Sequence, residues 1–68
     1  MQEFQLRGEM IRLGQLLKVA GIVDSGGEAK ELIADGSVTV NGEPETRRGR
    51  QLHAGDVLEA QGQKLRLA

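Results

Sequence analysis

Apolar residues recur along this chain with two different periods. Phe4 and Leu6 alternate with Gln5 and Arg7, the spacing of a half-buried strand, until Gly8 interrupts it. Leu13, Leu16, Leu17 and Ala20 then fall at i, i+3, i+4 and i+7. All four share one face of a short helix over about Arg12 to Ala20, which Gly21 can close in a left-handed conformation. Ser25-Gly26-Gly27-Glu28 fits a capping box: the Ser25 hydroxyl accepts from the Glu28 amide while the Glu28 carboxylate reaches back to Ser25. A second helix therefore starts there, with Ala29, Leu32 and Ile33 as its apolar face and Gly36, just past Asp35, as its stop. Neither helix is long enough to persist alone in water, so each must pack on the other and on a sheet.

After Gly36 the period becomes two. Val38 and Val40 alternate with Ser37 and Thr39, and Asn41-Gly42 is the favoured pair for a tight hairpin turn. Pro44 marks an edge or irregular strand, since it lacks a ladder donor. Gly49, Gly55-Asp56 and Gly62 punctuate the rest, leaving Val57 to Ala60 and Lys64 to Leu67 as two final strands, the latter with Leu65 and Leu67 inward and Lys64 and Arg66 outside. The order strand, helix, helix, strands predicts an α+β domain: two short helices packed on a small, mostly antiparallel sheet, with an added N-terminal strand. At 68 residues the expectation is one domain, 1–68, with a small core and modest stability.

Composition narrows the chemistry. There is no cysteine, which removes disulfides, thiolate metal sites and cysteine-based catalysis. His53 is the only histidine, and one histidine without cysteine does not make a metal site; it reads as an exposed loop residue within reach of a ligand. Met1 to Arg7 lack a basic start followed by an apolar run, and no stretch has the length of a membrane span, so a cytoplasmic protein with no membrane partner is expected. No serine or threonine has a histidine and carboxylate partner in context and no phosphate-loop signature occurs, so neither an enzyme nor a cofactor is expected.

The net charge is −1 and the pI about 5.7, which on its face argues against nucleic acid. Distribution matters more: Thr46 to Gly55 holds Arg47, Arg48, Arg50 and His53 and no acid, so a local positive patch can exist on a nearly neutral chain. Guanidinium groups fit phosphate oxygens bidentately, and three lie close together beside Gly49. From the residues alone two readings stay open: a phosphate-gripping cluster, or a solvated strand whose arginines answer Glu43 and Glu45. Arg12, Lys18 and Lys30 project from the polar sides of the helices and would widen a patch or serve as solubilising charge. Lys30 lies nearest the positive start of helix two. Ser25, Gly26 and Gly27 form a helix cap and also an exposed set of amide donors that a phosphate could approach. Asn41 supplies turn geometry first and an amide contact second. Phe4, the only aromatic residue, belongs to the core by its alternation, so base stacking is not the expected mode.

Several features arrive in order: Arg12-Leu13, Leu16, Gly21, Ser25, Ala29, Leu32-Ile33, Gly36, Val38, Val40-Asn41-Gly42 and Gly55-Asp56. Over about Ile11 to Leu58 this pattern resembles the alpha-L RNA-binding motif, the domain named after the fourth protein of the small ribosomal subunit. The Ser25-Gly26-Gly27 variant and the run Glu45-Thr46-Arg47-Arg48-Gly49-Arg50 look most like its stand-alone bacterial YbcJ-type subfamily. The resemblance implies a non-catalytic protein contacting the backbone of structured RNA, ribosomal or transfer RNA, through Arg47, Arg48, Arg50, Lys30, Arg12, Lys18, Ser25, Gly26, Gly27 and Asn41. It departs from the pattern at Gly26, where an arginine is usual, and at Gly14, where an aspartate is usual. The expected partners are structured RNA and, secondarily, the ribosome or its assembly proteins, met by a monomer. The competing reading is an adaptor in ribosome assembly or translation, whose same arginines bind an acidic protein surface.

Overall fold

In a computed structural model the structure describes residues 1–68. Two helices, α1 (Leu13–Val19) and α2 (Gly26–Ala34), lie against a five-stranded sheet of order β1-β7-β6-β3-β4. Its strands are β1 (Gln2–Phe4), β3 (Thr39–Val40), β4 (Glu43–Pro44), β6 (Val57–Ala60) and β7 (Gln63–Leu67). All pairs are antiparallel except β1 with β7, which run parallel. The α+β arrangement read from the periods is the one observed.

Local chemistry accounts for the element ends. Ser25 caps α2 by accepting from the Glu28 amide at 3.2 Å. The Glu28 carboxylate reaches one residue further back than the box predicts, accepting from the Asp24 amide at 2.7 Å. Asn41 and Gly42 both take positive φ, 54° and 85°, as a two-residue hairpin between β3 and β4 demands. Pro44 sits on the outer strand β4, where its missing donor costs no ladder bond.

The core is one cluster, drawn from Leu13, Leu16 and Leu17 of α1, Ala29 and Ile33 of α2, and inward residues of the sheet such as Val40, Leu58, Leu65 and Leu67. Phe4, assigned to the core by its alternation, is half-buried and packs on the rim of that cluster. Leu6 lies beyond β1, and its amide donates to the Ala68 carbonyl at 2.9 Å.

Two strands were not predicted, and one of them takes Arg12 out of the helix expected over Arg12 to Ala20, because its backbone is extended. Ile11–Arg12 (β2) pairs antiparallel with Gln51–Leu52 (β5) as a separate two-stranded ribbon. This ribbon carries the chain directly into α1 and ties the arginine-bearing segment to the start of that helix. No helix is long and apolar enough to cross a membrane.

Candidate nucleic-acid interface

Arg12 is both the last residue of β2 and the N-cap of α1, and it offers no side-chain cap. Backbone carbonyls from the arginine segment replace one: Leu13 N donates to Arg50 O at 2.8 Å and Gly14 N to Arg48 O at 3.0 Å. Two orphan amides of the helix are thereby satisfied, and residues 47–50 are pinned across its first turn. Arg12 Nη1 adds a bond to the Gly49 carbonyl at 3.3 Å.

Gly14 is where the two pieces meet. A Cβ at this position would lie 2.6 Å from Cγ of Arg48 and 3.2 Å from its Cδ, so only glycine lets the Arg48 side chain cross α1 here. The aspartate usual at this position in the alpha-L pattern would not fit beneath that side chain. Glycine therefore makes room for an arginine.

The three arginines are divided by the fold. Glu45 is only 6% exposed, the one charged residue in the interior. Its carboxylate accepts from Arg47 Nε at 2.9 Å, Arg47 Nη2 at 3.1 Å, the Arg47 backbone amide at 3.0 Å and Arg50 Nη1 at 2.7 Å. The hydrogen bonds from Arg47, then those from Arg50, hold this carboxyl well below the usual carboxylate range despite its burial, and they raise Arg47 in turn. Glu43 takes no part in an ion pair. Arg48, pointing the other way, has no carboxylate partner and is exposed.

Arg48 lines an open cleft of about 500 Å³ together with Arg12, Gly14, Lys18, Gly26 and Gly49. Its walls hold three cations and no carboxylate. The first N–H groups of α2, from Gly26 and Gly27, have no intrahelical partner, and Gly26 presents its backbone to the cleft with nothing within 4 Å of where a side chain would stand. Such a surface can take a phosphate or another compact anion.

The remaining candidates lie elsewhere. Lys30 is exposed on α2 outside the cleft, and Ser25 is occupied as the cap. Asn41 is used internally: its Nδ2 donates to Asp56 Oδ1 at 3.0 Å and its Oδ1 accepts from the Val57 amide at 2.9 Å. His53 is exposed, its backbone amide donating to Asp56 Oδ2 at 2.8 Å. Sequence reasoning missed the burial of Glu45 and the steric role of Gly14. The available signal for Glu45 was its position two and five residues before Arg47 and Arg50.

The chain resembles known proteins over nearly its full length. Residues 4–68 match the family model described as S4 domain, a wider span than the motif residues alone suggested. It is 54% identical over 54 residues to RlbA of Bacillus subtilis (strain 168), named a probable ribosome maturation protein, covering 79% of this chain and 76% of that one. It is 37% identical over 57 residues to YbcJ of Escherichia coli (strain K12), named provisionally as an RNA-binding protein, covering 84% and 81%. The solution structure of E. coli YbcJ, described as revealing an alfaL motif involved in RNA-binding, superposes with a TM-score of 0.75 at 35% identity, over 100% of this chain and 87% of that one. The 30S ribosomal protein S4e of Thermoplasma acidophilum shares the fold at a TM-score of 0.74 and 23% identity; the matched part is 88% of this chain and 32% of that protein. With a family model spanning most of its residues and YbcJ alike in sequence and fold, the chain belongs to the S4 domain family as a YbcJ-type alpha-L protein.

Proposed function

We propose that this protein is a non-catalytic RNA-binding module that holds the phosphate backbone of a structured RNA, ribosomal or transfer RNA, in the cleft bounded by Arg12, Lys18 and Arg48. The observation that carries this reading is the cleft itself: three cations without a carboxylate, on a chain whose net charge is −1. Charge of one sign gathered on a concave wall focuses the field on an anionic partner. The amides of Gly26 and Gly27 add donors at the same wall. Arg47 and Arg50 hold the segment that carries Arg48. RlbA and YbcJ, named for ribosome maturation and RNA binding, support the RNA-binding part of the reading. The only aromatic residue is half-buried, so shape and phosphates rather than base stacking define the target.

The test is a titration of ribosomal RNA, transfer RNA and duplex DNA at two salt concentrations, with an Arg12→Ala/Arg48→Ala variant alongside. Three phosphate contacts give a slope of about −2 to −3 in log affinity against log salt. Loss of two charge-assisted contacts of about 1.5 kcal/mol each weakens RNA binding by about a hundredfold. Equal affinities of a folded variant and the wild type would overturn the assignment of the cleft, and an interaction in cell extract that survives ribonuclease would favour the adaptor.

A further inference from the structure

Glu45 is an unusual residue to find inside an RNA-binding segment. It is a buried carboxylate in a small core, it lies three residues before the cleft arginine Arg48, and it takes donors from the two neighbouring arginines, Arg47 and Arg50. Its own geometry imitates a bound phosphate: one oxygen accepts from Arg47 Nε and the Arg47 backbone amide, the other from Arg47 Nη2 and Arg50 Nη1. The guanidinium groups so engaged are not equally sheltered, since the side chain of Arg47 is 73% exposed and that of Arg50 33%. Arg47 would therefore be free to take any passing phosphate if Glu45 did not hold it.

We propose that Glu45 is the specificity-determining residue of this surface: by engaging Arg47 and Arg50 from inside the fold, it weakens their pull on polyanions and leaves Arg48, with Arg12 and Lys18 of the cleft, as the main phosphate contact of the arginine segment. Mobile surface arginines bind phosphate wherever it occurs, and that sequence-independent attraction grows with the number of available cations. Cations fixed around a concave cleft demand a phosphate at a defined place, which a folded RNA presents in a way that a regular DNA duplex does not. Glu45 thus acts through the arginines as a positioning residue, reducing indiscriminate attraction and leaving the shaped site as the main contact. This inference rests on the RNA reading above.

The experiment compares wild type, Glu45→Gln, Glu45→Asp, Arg47→Gln and Arg48→Gln, each checked for folding by circular dichroism, in titrations of structured RNA and duplex DNA across a salt series. Glu45→Gln is expected to tighten DNA binding by about tenfold and to steepen its salt slope by about 1 to 2, one or two newly engaged phosphates. The RNA-to-DNA preference falls accordingly, and Glu45→Asp, which keeps the charge, restores it. Arg48→Gln lowers the RNA slope by about 1, and Arg47→Gln, which loosens the segment without removing a cleft cation, lowers it by clearly less. Should Glu45→Gln not fold, the two arginine variants decide the matter: equal loss of slope in both overturns the proposal. A folded Glu45→Gln with wild-type preference, or with RNA and DNA binding weakened in proportion, also overturns it while leaving the RNA reading intact. A wild type without RNA preference overturns both.

Discussion

Two carboxylates organise two loops of this protein, and their partners differ in kind. Asp56, half-buried between β5 and β6, accepts from the side-chain amide of Asn41 and the backbone amide of His53. Glu45, more deeply buried, accepts from two guanidinium groups and a backbone amide. Neutral donors fix the first loop and engage no cationic side chain in a hydrogen bond. Cationic donors fix the second by engaging Arg47 and Arg50, and the arginine of that segment left without a carboxylate partner is Arg48, which lines the cleft with Arg12 and Lys18. One loop is therefore built for shape alone, and the other couples shape to electrostatics.

The largest difference between them is expected in acid. Burial pushes Asp56 up, but the hydrogen bonds from Asn41 and His53 outweigh it and leave the group below its ordinary 3.8. Glu45 lies further below its ordinary 4.5 because both arginines favour the charged form. A carboxyl whose folded pKa is depressed contributes stability that is present above its unfolded value and lost as pH falls through its folded value. The thermal midpoint should hold down to about pH 4.5 and then decline steadily. Glu45→Gln should flatten that acid limb substantially, and Asp56→Asn only slightly. A flatter limb in Asp56→Asn than in Glu45→Gln would reverse the comparison.

Next in size is Asn41→Ala, which probes the shape-only loop. Alanine at φ 54° costs about 1 kcal/mol, and the Val57 amide loses its side-chain acceptor for about another. A loss of about 2 kcal/mol lowers the thermal midpoint by about 10 °C in a chain of this size. RNA affinity of the folded fraction should not move, because the Asn41 amide is already spent inside the protein. A fall in RNA affinity at full folding would return Asn41 to the contact surface.

Legibility in the sequence follows the same division. The Asn41-Gly42 turn, the Ser25 cap, the strand Val57–Ala60 and the inward pair Leu65 and Leu67 were readable because each depends on neighbours within a few residues. The cationic loop depends on partners far apart in the chain: Arg12 meets Gly49 across 37 positions, and β2 pairs with β5 over a similar distance. Pattern and spacing carry no record of such pairings. The sequence leaves two readings of Arg47, Arg48 and Arg50 open, phosphate contact or pairing with Glu43 and Glu45, and the structure divides the group: Arg47 and Arg50 pair with Glu45, within five residues, while Arg48 reaches the cleft through the long-range pairing of β2 with β5. Gly14 looked like a lost carboxylate for the same reason, its partner Arg48 being distant in sequence.

Gly14→Ala isolates that partnership and gives the smallest effect of the series. The new methyl group would stand 2.6 Å from Arg48 Cγ, too close to be relieved by rotating only the far end of the side chain, so Arg48 must leave its path across α1. The backbone is less troubled, with the Arg48 carbonyl at 3.6 Å from the added carbon. Alanine also favours the helix by up to about 1 kcal/mol over glycine, which offsets the steric cost in the folded state. Thermal stability should therefore stay within a few degrees of wild type, while RNA affinity falls about fivefold, close to 1 kcal/mol, and the salt slope loses up to about one phosphate. This is the mirror image of Asn41→Ala, which costs stability and spares binding. If Gly14→Ala instead loses stability and keeps its affinity, the Arg48 side chain is a packing element of α1, and the proposed phosphate contact in the cleft falls to Arg12 and Lys18 alone.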